Sequence, residues 1–174
     1  MAVLNKIALR GFKSIKDAAL DLRPLNVLIG SNGAGKSNLI SFFKMLNEMM
    51  GGRLQQYVAA SGRAHALLHF GPKVTPQLEA DLEFEVDNGY GIYQMRLFHA
   101  ASDTLVFAEE TLSFLQTGYP TPKKVSLGAG HLESRIGEEA NKAEPTAKVF
   151  RHLLNHCRVY HFHDTSSTAR VQQH

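Results

Sequence analysis

From Gln77 to Val86 the chain alternates without a break. Leu78, Ala80, Leu82, Phe84 and Val86 fall on one side, and Glu79, Asp81, Glu83 and Glu85 on the other. Period-two alternation predicts a strand with one buried and one solvated face. Asp87-Asn88-Gly89 carries a hairpin signal, after which Tyr93, Met95 and Leu97 alternate with Gln94 and Arg96 on the return strand. Leu105–Phe114 predicts a third antiparallel strand. Nearer the start, Leu4–Leu9 and Ala18–Leu22 read as strands separated by a turn at Gly11-Phe12-Lys13-Ser14. Leu25–Ile29 is almost continuously apolar, the signature of a strand covered on both faces.

The period then changes. Leu39, Phe42, Phe43, Leu46 and Met50 recur at helical spacing, and Gly51-Gly52 supplies a stop. Residues 53–66 read as helical or irregular. Residues 116–144 read as loops around one more strand. Pro145 suits the first turn of a helix whose apolar stripe is Phe150, Leu153, Leu154 and Cys157. Arg158–Phe162 reads as a final strand, and 164–174 as a polar tail.

Composition narrows the classes. Of 174 residues, 44% are hydrophobic and 20% charged, a globular balance. No apolar run approaches the roughly 20 residues of a membrane span, and the opening segment has no signal-peptide core. The single cysteine, Cys157, excludes an internal disulfide and fits a reducing cytoplasm. The net charge of +3 is unevenly spread. Residues 1–76 hold ten Lys/Arg against three Asp/Glu, residues 77–145 five against twelve, and residues 146–174 four against one. The basic first segment suits phosphates, of a nucleotide or of DNA.

The chemistry is concentrated between the apolar run and the helix. Gly30-Ser31-Asn32-Gly33-Ala34-Gly35-Lys36-Ser37 satisfies G-x-x-x-x-G-K-[ST] at every fixed position. Glycines let backbone amides turn inward and approach phosphate oxygens closely. The helix starting near Lys36 aims its positive end at the same anion. Lys36 is expected to reach the β- and γ-phosphates and Ser37 to offer its hydroxyl to Mg²⁺. ATP and Mg²⁺ are therefore the expected ligands. A glycine-rich turn with an ordinary helix cap is the alternative.

ALRGFKSIKDAALDLRPLNVLIGSNGAGKSNLI, residues 8–40, resembles the amino terminus of the SMC/RecF/OLD-like branch of ABC-class ATPases, and within it the bacterial AAA-family ATPases. HALLHFG at 65–71 and HCRVYHFHDTS at 156–166 also look like that group. The resemblance implies an α/β fold: a P-loop lobe of strand, P-loop and helix over residues 1–60, an antiparallel β-subdomain over 61–140, and a helix and strand returning to the core over 141–174. It implies that Asn38 belongs to the motif and that Phe12, Lys13 and Ser14 are secondary nucleotide contacts. It also implies ATPase heads that pair as a homodimer, with hydrolysis serving DNA repair or defence and DNA as a possible partner. A surface β-turn is the alternative for residues 12–14.

Phosphoryl transfer further needs a metal-holding acid and a group that orients the attacking water. In the resembled group these lie in a later half, on an acid-ended strand, a signature loop and a switch histidine, so they are expected beyond His174. Two lookalikes occur earlier. Leu105-Val106-Phe107-Ala108-Glu109-Glu110 ends an apolar strand in two acids but lies in the antiparallel region. Ser126-Leu127-Gly128-Ala129-Gly130 reads as a plain turn. His152 and His156, four apart on a predicted helix, could share a metal, although H-E-x-x-H is absent. Cys157 on the apolar stripe reads as a small buried hydrophobe. Other functions remain open at this point: a compact P-loop small-molecule kinase, or a non-catalytic nucleotide-dependent assembly module. A kinase would need an arginine-rich lid, and residues 100–145 offer only Arg135.

Overall fold

The computed structural model describes residues 3–159. Its centre is a six-stranded sheet in the order β2-β1-β3-β4-β5-β6, antiparallel at every pairing. The strands are β1 Val3–Phe12, β2 Ile15–Asp21, β3 Gln77–Val86, β4 Gly89–Ala100, β5 Thr104–Gln116 and β6 Lys123–Gly128. The helices are α1 Lys36–Met50, α2 Leu54–Ala60, α3 Arg63–Leu67, α4 Ile136–Asn141 and α5 Pro145–His156. One sheet runs through the boundary expected near residue 60, since β1 and β3 pair from Val3↔Glu85 to Arg10↔Glu79.

The alternation sorts the two faces as expected. Leu78, Ala80, Leu82 and Phe84 of β3 are buried beside Ile7 and Leu9 of β1 and Tyr93, Met95 and Leu97 of β4. Helix α1 contributes Leu39, Phe42, Met45, Leu46 and Met49 to the same core, and α5 contributes Phe150, Leu153 and Leu154. The other face is polar. One transverse row crosses five strands with alternating charge: Asp17, Arg10, Glu79, Arg96, Glu109. Arg10 lies 3.3 Å from Asp17 and 3.4 Å from Glu79, and Arg96 lies 3.4 Å from Glu109. Pairs this exposed contribute little stability each, but they oppose a register slip that would bring like charges together.

A β-bulge in β5 decides what the two neighbouring acids do. Arg96 pairs with Glu109 and Leu97 with Phe107, so Ala108 is the extra residue. Before it Leu105 and Phe107 face the core; after it Glu110 and Leu112 do. Uninterrupted alternation would have turned Glu109 and Thr111 inward. The bulge leaves Glu109 outside with Arg96 and sends Glu110 into the interior.

Several sequence expectations change. Leu25–Ile29 does not form a strand. Leu25, Val27 and Ile29 are 82%, 73% and 90% exposed, and among the described residues no strand pairs with them. An apolar strand forms only where a neighbour takes up its backbone hydrogen bonds and its side chains are covered. Residues 116–144 contain a short helix, α4, beside the expected strand β6. Ser126–Gly128 belongs to β6, and the turn follows it: Gly130 donates to Phe107 O at 2.7 Å, and Phe107 N donates to His131 O at 3.0 Å. Arg158 and Val159 have no regular structure, and Tyr160–Phe162 of the expected final strand, with the polar tail, lies outside the described residues. No helix among the described residues is long and apolar enough to cross a membrane.

Candidate nucleotide-binding site

The glycine loop is exposed from Gly30 to Ala34. Gly33 and Gly35 hold φ of 86° and 89°, in the left-handed region where a side chain would be strained. Gly35 is the cap of α1, and its carbonyl accepts from the amides of Asn38 and Leu39 at 3.0 and 2.9 Å. No side chain caps this helix end and no acid lies in its first turn. The 15-residue helix therefore keeps its amino-terminal amides and its positive dipole end available to an anion. Lys36, the first helical residue, curls back over the loop. Its ammonium donates to Gly30 O and, at 2.7 Å, to Ser31 O. That places a cation across the mouth of the loop. Ser37 follows, exposed.

The β1–β2 hairpin abuts this loop. Asn38 Nδ2 donates to Ser14 Oγ at 2.6 Å. A Cβ placed on Gly35 would lie 3.6 Å from Ser14 Oγ and 3.7 Å from Ile15 Cγ1, ordinary van der Waals contact, so it is the left-handed φ and not the space that calls for glycine. Ser14 and Asn38, 24 residues apart in sequence, thus meet at the loop. Lys13 is half-buried, and its ammonium is held below the ordinary lysine value, first by burial and then by Lys44. Phe12 is fully buried edge-on against Phe42, with ring centroids 5.7 Å apart. Its side chain therefore cannot touch a ligand at the loop.

Beneath the loop, a cavity of about 280 Å³ separates Val27–Ile29 from β1 and β2 and ends at Gly35 and Lys36. Apart from Lys36, the side chains that line it are apolar.

The other candidate groups are committed elsewhere. Glu110 is fully buried and accepts from Tyr93 OH at 2.9 Å, Ser134 Oγ at 2.5 Å and Arg135 N at 3.0 Å, with His131 Nε2 at 2.9 Å. Burial first, and then the charge and hydrogen bond of Glu110, push the Tyr93 phenol well above its ordinary value. Glu109 faces Arg96. Neither acid touches the glycine loop. The rings of His152 and His156 lie 4.2 Å apart, but His156 Nδ1 is occupied with His152 O at 2.7 Å. Among the described residues no group of three or more His, Cys, Asp or Glu could hold a metal ion. Cys157 is pushed up to about 11 by burial, so its thiol is not an activated nucleophile.

Sequence reasoning did not anticipate His69. Its backbone amide donates to Gly11 O at 3.0 Å and its ring Nδ1 lies 2.7 Å from Lys13 O. The signal was present in the HALLHFG block, but nothing local says which strand that block will meet.

A glycine loop opening into an uncapped helix, packed beside an antiparallel sheet, gives an α/β domain with a helix end open to an anion. The family model described as AAA ATPase domain matches residues 3–147, and the chain belongs to that family. It is 29% identical over 153 residues to the DNA replication and repair protein RecF of Acidothermus cellulolyticus, covering 81% of this chain and 41% of that protein. To the RecF protein of Mesorhizobium japonicum it is 31% identical over 140 residues, covering 76% of this chain and 35% of that protein. The chain thus spans between a third and about two-fifths of the curated relatives it matches.

Proposed function

We propose that this chain is the ATP-binding lobe of a RecF-like ATPase, taking Mg·ATP on the loop Gly30–Ser37. The observation that carries this is the amino-terminal end of α1: uncapped, free of acids in its first turn, entered through left-handed glycines and crossed by the Lys36 ammonium. Amides of the loop and first helical turn would hold phosphate oxygens, and Lys36 would exchange its contacts with Gly30 O and Ser31 O for the β- and γ-phosphates. Ser37, exposed in that turn, would hold Mg²⁺, which neutralises charge on the transferring phosphoryl group when bound. Ser14 and Asn38 would form the neighbouring wall, backed by Phe12 and Lys13.

Hydrolysis moves the γ-phosphoryl group to water and needs an acid for the metal and a group that orients the water. Glu109 and Glu110 are engaged elsewhere, so we place those groups in a carboxy-terminal half and in a second head. The output we assign is DNA repair or defence, in the cytoplasm; similarity to DNA replication and repair proteins supports the repair reading.

Lys36→Ala tests the site. The variant is expected to lose binding of a fluorescent ATP analogue while keeping its circular dichroism spectrum. Unchanged affinity would overturn the assignment.

A further inference from the structure

The turn beside the glycine loop is held by a segment more than fifty residues away. Leu67 O accepts from Lys13 N at 2.8 Å, Phe12 and Leu68 form an isolated antiparallel bridge, and His69 N donates to Gly11 O at 3.0 Å. The His69 ring, itself buried, sets Nδ1 2.7 Å from Lys13 O. Both backbone groups of Lys13 are therefore bonded to residues 67–69.

The conformations on both sides are costly. Lys13 has φ 49° in a two-residue hairpin loop, where glycine is preferred at that position. Gly71 N donates to Leu68 O at 3.0 Å, closing a turn whose third residue, Phe70, has φ 54° and an 80% exposed ring. That position too is ordinarily filled by glycine. A bulky aromatic held there is out of the common run, and such strain persists where surrounding contacts over-determine it. Reversing the chain at Phe70 is what keeps His69 turned in against the Lys13 carbonyl.

A trans peptide points its N–H opposite to its C=O. With Lys13 O fixed on His69, the Ser14 amide is directed away from His69. Ser14 Oγ is held from another side by Asn38, against Gly35. We propose that His69 is a positioning residue for nucleotide binding: its Nδ1–H fixes the Lys13–Ser14 peptide and so sets Ser14 beside the glycine loop. This rests on the reading of that loop as the ATP site.

The test is the affinity of the full chain for a fluorescent ATP analogue. His69→Ala should weaken binding about five-fold, the scale of one lost positioning hydrogen bond. His69→Asn, whose side-chain amide can donate from near the Nδ1 position, should restore most of it. Val58→Ala, in α2, removes buried apolar volume and none of the three hydrogen bonds from residues 67–69 to the hairpin; it should lower the melting temperature and leave affinity unchanged where the protein is folded. If the parent chain binds and Lys36→Ala does not, yet His69→Ala binds like the parent, the positioning role is wrong and the site stands. Equal losses for His69→Asn and His69→Ala would also overturn it. If the parent chain itself fails to bind, the site reading fails first.

Discussion

At the scale of single residues, the interior turns on Glu110. A buried carboxylate is tolerated only when its lone pairs are met, and four donor groups from β4, the 131–135 loop and the start of α4 meet them. Glu110→Ala would leave the Tyr93 hydroxyl, His131 Nε2, Ser134 Oγ and the Arg135 amide without that acceptor. The expected loss is about 3–5 kcal/mol in urea unfolding. A loss below about 1 kcal/mol would show that the network carries little of the stability. Neither the burial of Glu110 nor its partners could be read from Phe107-Ala108-Glu109-Glu110 alone. Strict alternation turns the wrong acid inward, and only the extra residue at Ala108, visible in the pairing with β4, corrects it. By contrast Lys36, Ser37 and the glycines of the loop were legible, because local backbone conformation and side-chain type are what that motif specifies.

Elements carry their own lessons in how their ends are satisfied. Helix α5 was legible from Pro145, and the structure adds its cap: Glu144 accepts from Ala147 N at 2.7 Å and pairs with Lys123 of β6. Partial burial pushes the Glu144 carboxyl up, but the hydrogen bonds from Lys123 and Ala147 outweigh it and hold it below its ordinary 4.5. A depressed folded value means stability present above the unfolded value and lost as pH falls through the folded one. Glu144→Ala should therefore cost about 1 kcal/mol near pH 7, and its gap from the parent should narrow in thermal melts as pH falls below 4.5. Helix α2 shows the opposite case. It has no local cap, and the amides of Leu54 and Gln55 bond the Glu133 carboxylate at 2.7 and 3.0 Å, across 79 and 78 residues. No window of sequence around Leu54 contains that information. Gly91 is similar: a Cβ there would meet Phe150 Cζ at 2.9 Å, and that absence lets α5 lie on the sheet.

On the scale of the whole molecule, the sheet has one face packed by helices and one face of crossed charges, and the glycine loop sits beside its β2 edge. The apolar segment Leu25–Ile29 leads into that loop with Leu25, Val27 and Ile29 largely in solvent. In the proposed reading, the partner that covers it and the acid for the metal both come from the carboxy-terminal half. The chain alone is then expected to bind ATP and turn it over negligibly. Phosphate release measured with parent and Lys36→Ala chains checks this: turnover well above the Lys36→Ala background would refute the division of labour.

The linear order of residues determined the strand faces, the hairpins, the starts of α1 and α5 and the glycine loop. Each of these follows from side-chain periodicity and from the conformations that glycine and proline allow within a few residues. Tertiary structure alone decided that Leu25–Ile29 stays unpaired among the described residues, that Glu110 and not Glu109 enters the core, that Glu133 caps α2, and that His69 grips the hairpin at Lys13. Those outcomes depend on hydrogen bonds and packing between segments far apart in the chain, and a residue's local pattern is the same whichever distant partner it meets.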